Sequence, residues 1–270
     1  MANNHKSRKK IAIYTVLTFL ISSVFYLIMY FTGSSRDVGV LWMWSPAMSA
    51  ILTQLMFQEN IRDFGWRLGP KKYLLLAGVI PLTYALIIYS LAWATGIAGF
   101  RSPTIGYIIF LPIGFLAACF AALGEEIGWR GLLVPELFKI TTFTNTVLLS
   151  GLIWAVWHYP TILFTDYRSQ APRWFDLTTL TISVLGLSCF TAWLRLKSGS
   201  LWPAVLWHGA HNLFIQEIFI QMSTESPLSR FFIDDFGLGL VLAALSLGFI
   251  FWKKRFELPK FFPPQPDKAA

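Results

Sequence analysis

The stretch TIGYIIFLPIGFLAACFAALGEEIGWR (Thr104–Arg130) opens with twenty uncharged, mostly apolar residues, Thr104–Leu123, and then places two glutamates and an arginine within seven positions. At 1.5 Å per residue, about 20 such residues cross the roughly 30 Å hydrocarbon core of a bilayer. The run is too long for a barrel strand, which would alternate in polarity over about ten residues. This segment therefore reads as a membrane-spanning helix that ends in ionisable groups.

The same reading applies on either side of it. Candidate spans are Ile11–Phe31, Val40–Phe57, Tyr73–Ala94, Thr104–Leu123, Asn145–Phe164, Leu177–Leu196, Leu201–Ile220 and Phe236–Trp252. The composition agrees: hydrophobic residues are 55%, charged residues 13%, and the mean hydropathy is +0.57. A soluble domain carries about 25% charged residues, so a water-soluble fold is excluded. The first run follows a basic MANNHKSRKK and superficially resembles a signal peptide. It is too long for an h-region and lacks an A-x-A-like cleavage site, so a retained span is expected.

The net charge of +8 is a matter of topology. With the N-terminus cytoplasmic, 17 of the 22 basic residues face the cytoplasm, and Arg36, Arg101, Arg168, Arg173 and Arg230 face the other side. Such a bias orients membrane helices. It predicts an all-α polytopic bundle of about eight transmembrane helices with both termini cytoplasmic, and it leaves nucleic acid without a role. The expected organisation is a basic N-terminus (1–10), a transmembrane domain (11–252, its motifs within about 70–220) and a basic, proline-rich tail (253–270), FELPKFFPPQPDKAA at its end. In ENIRDFGWRLGPKK (residues 59–72), Phe64 and Trp66 are expected at headgroup depth. Trp42, Trp44, Trp174, Trp202 and Trp252 fall near span ends and read as interfacial anchors. Cys119 and Cys189 read as small buried hydrophobes.

An ionisable group inside the bilayer is costly and marks a site unless it is merely paired. Three places qualify. Glu126 and Arg130 are four apart and share a helix face, while Glu125, rotated by about 100°, has no such partner and is free to act as a base. His158 follows an aromatic run, Trp154-Ala-Val-Trp157, with Pro160 nearby to kink the helix. His208 and Asn212 share a face, and Gly209 and Ala210 between them admit a close neighbouring helix. His211 is offset from that face, and Glu217 is unassigned. Each of the three also has a plainer reading as packing or helix-end polarity; together they are harder to explain that way.

A Glu and a His beside one water can generate a nucleophile, and a His and an Asn can stabilise an oxyanion. The same groups could instead hold Zn²⁺ and activate a bound water. There is no HExxH motif, no GxSxG elbow and no cysteine placed for catalysis.

These motifs resemble those of the CAAX protease and bacteriocin-processing (Abi) family of intramembrane proteases. Glu125, Glu126 and Arg130 match E-E-x-x-x-R. Trp154 and His158 match F-x-x-x-H with Trp in place of Phe, and His208 and Asn212 match H-x-x-x-N. The resemblance covers about residues 70–220. It implies water activation by Glu125 and His158, carbonyl stabilisation by His208 and Asn212, and a supporting Glu126–Arg130 pair. It implies a membrane-associated peptide or protein substrate, prenylated or not, cleaved without a metal or with a divalent one such as zinc on Glu125, His158 and His208. The membrane would be the plasma membrane of a prokaryote or the endoplasmic reticulum of a eukaryote. The competing readings are a non-catalytic scaffold or bacteriocin immunity protein, and a proton-coupled transporter, for which no inverted repeat is visible.

One expectation conflicts with the rest. With span four ending at Leu123, Glu125 sits at the cytoplasmic rim, whereas His158 lies 13 residues into a span starting at Asn145, roughly 20 Å deep. A shared water requires span five to shift or tilt, or residues 130–143 to fold back.

Overall fold

A computed structural model describes residues 2–259; the tail from Lys260 onward lies outside the described residues. The chain is helical almost throughout. Helix α1 (Ala2–Thr32) is followed by α2 (Gly39–Met43), α3 (Ser45–Met56), α4 (Lys71–Ala94) and α5 (Ile105–Glu126). Then come α6 (Val134–Ile140), α7 (Phe143–Phe164), α8 (Arg173–Ser198), α9 (Trp202–His211), α10 (Ser229–Phe232) and α11 (Leu238–Lys253). Two short strands, β1 (Gly99–Phe100) and β2 (Ser223–Thr224), pair antiparallel. The all-α membrane bundle expected from the apolar runs is the observed architecture.

Five described helical segments are long and apolar enough to cross a membrane: Asn4–Thr32, Lys71–Ala94, Leu111–Ile140, Phe143–Phe164 and Arg173–Ser198. The other three expected spans are helical but interrupted or short. Val40–Phe57 breaks at Trp44, because Pro46 at the start of α3 has no N–H to continue the preceding ladder. Leu201–Ile220 changes from α to π geometry at Asn212, and α11 has 16 residues. These helices are packed within the bundle: α9 lies against α4 and α5, and α11 against α8.

Local chemistry sets the helix ends. The Thr104 and Thr142 hydroxyls accept the N–H groups of Tyr107 and Asn145, capping α5 and α7. Gly199, at φ +69°, closes α8 in the left-handed conformation. Helix α7 runs on through Pro160 to Phe164.

The expected end of span four at Leu123 is overturned. Past Glu126 the chain continues as a π-helical turn (Ile127–Leu133) and runs directly into α6. The hairpin at Thr141–Thr142 then returns it as α7. Glu125 lies fifteen residues before Ile140, and His158 fifteen after Phe143 (140 − 125 and 158 − 143). The two residues therefore reach the same height on antiparallel arms, and the depth conflict disappears.

Charged clusters mark the two ends of the bundle. At one end Lys10 bonds Glu136 at 2.8 Å and also Glu59, which Lys6 meets at 2.7 Å. Lys139 meets Glu136 at 2.7 Å. At the other end Arg36 faces Asp166 at 3.7 Å. The first cluster gathers at the N-terminal end of α1 and the second just past its C-terminal end.

Two expected interfacial aromatics are buried instead. Phe64 is 1% exposed and packs beneath Gly131, whose missing side chain leaves room for the ring. Trp42 stacks on Trp157 at 3.9 Å, with its ring plane edge-on to His158. Trp174, by contrast, is 68% exposed and fits the interfacial reading.

Candidate active site

The sequence motifs meet at the middle of the bundle. Both π segments begin at them: Ile127–Leu133 directly after Glu125 and Glu126, and Asn212–Phe219 at Asn212 itself. Such turns are rare and often found at functional sites, because the added residue re-aims the side chains that follow. Gly209 brings α9 against α5. A Cβ there would stand 2.5 Å from Cys119 Sγ and 2.9 Å from its Cα. This is the close approach expected from Gly209 and Ala210.

Glu126 is fully buried. Its Oε1 accepts Arg130 Nη1 at 2.9 Å and faces His208 Nδ1 at 2.8 Å. The expected i,i+4 pair is therefore formed, and it extends to the histidine of the third motif. Arg130 also donates from Nε and Nη2 to Thr191 Oγ1, at 3.1 and 2.7 Å, and its guanidinium lies 4.2 Å over the Trp154 ring. Thr191 had no sequence signal beyond being one more hydroxyl in an apolar helix.

Glu125 is held differently. Its Oε2 accepts two indole N–H groups, Trp129 at 3.1 Å and Trp154 at 2.7 Å. Trp154 uses its carbonyl as well: His158 Nδ1 lies 2.9 Å from it. A carbonyl can only accept, so Nδ1 of His158 carries the proton and Nε2 presents a lone pair.

A cavity of about 40 Å³ is lined by Trp154, His158, His208, Asn212, His211 and Asp235, among others. That volume suffices for a water, which needs at least about 10–15 Å³. Neither glutamate is on the wall: Glu126 is reached through His208 and Glu125 through Trp154. Asn212 Oδ1 faces Gln216 Nε2 at 3.4 Å, which leaves its amide N–H₂ as the free donor.

His211 is absorbed into a second network. Its Nε2 meets Asp235 Oδ1 at 3.1 Å and its Nδ1 meets Tyr84 Oη at 2.6 Å. Asp235 Oδ2 also accepts from Tyr167 at 3.0 Å and Gln216 at 2.7 Å. Both nitrogens of His211 are thus occupied, and the residue braces the cavity wall. Asp235 sits in a loop, where an acidic residue carries no signal of burial. Glu217, unassigned from sequence, lines an apolar groove of about 410 Å³ that also includes Asn212, Leu111, Gly114 and Ala118.

The three suggested metal ligands do not gather as a ligand set. Among the described residues, no three His, Cys, Asp or Glu side chains form a group able to hold a metal ion.

Residues 106–214 match the family model described as type II CAAX prenyl endopeptidase Rce1-like. All seven motif residues fall inside that range. The chain is also similar to a protein of Methanococcus maripaludis (strain S2) named CAAX prenyl protease 2, with 28% identity over 174 residues. The alignment covers 62% of this chain and 62% of that protein, so it spans less than two thirds of the relative's own length.

Proposed function

We propose, from the premise that residues 106–214 form a domain of the CAAX protease family, that this integral membrane protein is an endopeptidase acting on a membrane-associated peptide. The observation that carries the reading is the convergence of His158, His208 and Asn212 on one water-sized cavity, with Glu126 directly behind His208 and Glu125 held by Trp154, whose carbonyl bonds His158.

In this reading a water in the cavity gives a proton to the His158–Glu125 pair as its oxygen adds to the scissile carbonyl carbon. His158 Nε2 is the first acceptor, since Nδ1 already carries a proton. The oxyanion is met by the Asn212 amide and by His208 Nε2. Because His208 Nδ1 faces a carboxylate, Nε2 donates only when the ring carries both protons, and Glu126 stabilises that form. Collapse breaks the C–N bond, and the proton taken from water passes to the leaving amine. Arg130 orients Glu126 through its 2.9 Å contact to Oε1. The apolar groove ending at Asn212 suits a lipid-linked or hydrophobic stretch of the substrate.

The test is cleavage of a farnesylated CAAX peptide by the purified protein in liposomes, followed by mass spectrometry. The same peptide without lipid and a Glu125→Ala enzyme run in parallel. Release of the last three residues that requires both Glu125 and the lipid is expected. Cleavage without the lipid would point to another peptide class. No cleavage by folded protein would favour a scaffold, and activity that follows a proton gradient a transporter.

A further inference from the structure

Trp154 touches Glu125, His158, Arg130 and His208. Its indole N–H donates to Glu125 Oε2 at 2.7 Å, and its carbonyl holds His158 Nδ1 at 2.9 Å. Its ring lies 4.2 Å beneath the Arg130 guanidinium and edge-on to His208 at 5.6 Å. We propose that Trp154 is a positioning residue whose indole N–H sets the placement of the Glu125 carboxylate relative to His158. The inference rests on the peptidase reading for its catalytic consequence, while the contact itself can be tested without any substrate.

Two features argue for more than packing. Trp129, the other donor to Oε2, lies four residues along the same helix as Glu125, so its bond is local to that helix. Trp154 comes from α7, and its bond is the one that ties the carboxylate to the helix bearing His158. Acid and imidazole are thereby referenced to a single residue, one through its side chain and one through its backbone. Second, both donors use Oε2, which leaves Oε1 as the oxygen able to take up a proton. The cation over the ring draws electron density from the indole and strengthens the N–H as a donor. A phenylalanine would keep the backbone carbonyl and a ring beneath Arg130 but has no N–H to offer Glu125.

The proposal is tested with Trp154→Phe and with benzothienylalanine introduced at position 154, which keeps the bicyclic shape and replaces N–H by sulfur. Both should fold. With the farnesylated peptide, kcat should fall about 10–100-fold while KM stays within about twofold, the split expected when a group is misplaced rather than lost. Trp129→Phe should cost less. Independently, the Trp154 indole N–H resonance of ¹⁵N-tryptophan-labelled protein, identified by its loss in Trp154→Phe, should move upfield in Glu125→Gln. A benzothienylalanine enzyme with full kcat would reduce Trp154 to a shape-filling role and overturn the proposal. So would an indole resonance indifferent to Glu125. If the wild-type protein cleaves nothing, the peptidase reading fails, and the resonance alone decides whether Trp154 holds Glu125.

Discussion

His208 Nδ1 lies 2.8 Å from Glu126 Oε1, the same oxygen that accepts Arg130 Nη1 at 2.9 Å. One buried carboxylate oxygen thus joins the first and third motifs. Glu126→Gln keeps the shape and removes the charge that favours a doubly protonated His208. Losing one oxyanion donor typically costs 10²–10³ in kcat, so a fall of about 10²-fold with KM nearly unchanged is expected. Steady-state kinetics on the farnesylated peptide decide it; activity within a few-fold of wild type would refute the role given to Glu126.

The Arg130 environment makes a stability prediction. Arg130→Met leaves Glu126 buried with a lost counter-ion, a change on the order of 3–5 kcal/mol. Thr191→Val removes the acceptor of two guanidinium N–H groups and should cost about 1–3 kcal/mol. Thermal unfolding in detergent should rank the variants in that order. A Thr191→Val protein less stable than Arg130→Met would contradict it.

At Gly209 the prediction is steric. Gly209→Val should push α9 away from α5, withdraw His208 from Glu126 and abolish cleavage. Adding Cys119→Ala should not restore it, because the Cys119 Cα and N also stand 2.9 Å from the new Cβ. Rescue by the double variant would mean that only the sulfur was in the way.

Acid should loosen the end of the bundle where Lys6, Lys10 and Glu59 meet. Burial pushes the Glu59 carboxyl up, but hydrogen bonds and charge from Lys10 and Lys6 outweigh it and hold the group below the usual carboxylate range. A depressed folded-state pKa contributes stability above the unfolded value, about 4.3, and that contribution is lost as pH falls through the folded value. The melting-temperature gap between wild type and Glu59→Gln should therefore be widest near neutral pH and close below about pH 4. A gap that persists at pH 3 would rule out this linkage.

Much of the site was legible in one dimension. Glu125, Glu126, Arg130, His158, His208 and Asn212 stand out as polar groups in apolar helices, and the Glu126–Arg130 pair follows from helical spacing alone. What could not be read was what each polar group bonds to outside its own helix. Trp129 looks like any membrane tryptophan, and Trp154 like no more than a motif aromatic, until their N–H groups are seen on Glu125. Trp42, which is buried, cannot be placed from sequence for the same reason: proximity to a span end does not reveal whether a ring faces lipid or the bundle. Span ends were unreliable wherever polar residues continue a helix inside the protein, as they do from Glu125 to Ile140.

Apolar run length, the side bias of lysine and arginine, and residue spacing are properties of the linear chain. From them alone follow the membrane-embedded helical class, the order of the motifs and the identity of the chemical groups. The register between those groups belongs to the tertiary structure. Trp154 reaches Glu125 across 29 residues, Arg130 reaches Thr191 across 61, and His208 reaches Glu126 across 82. No local spacing encodes such contacts. They are set where Gly209 lets two backbones approach, where a π turn re-aims a helix face, and where the Thr141–Thr142 hairpin brings Glu125 and His158 to equal height.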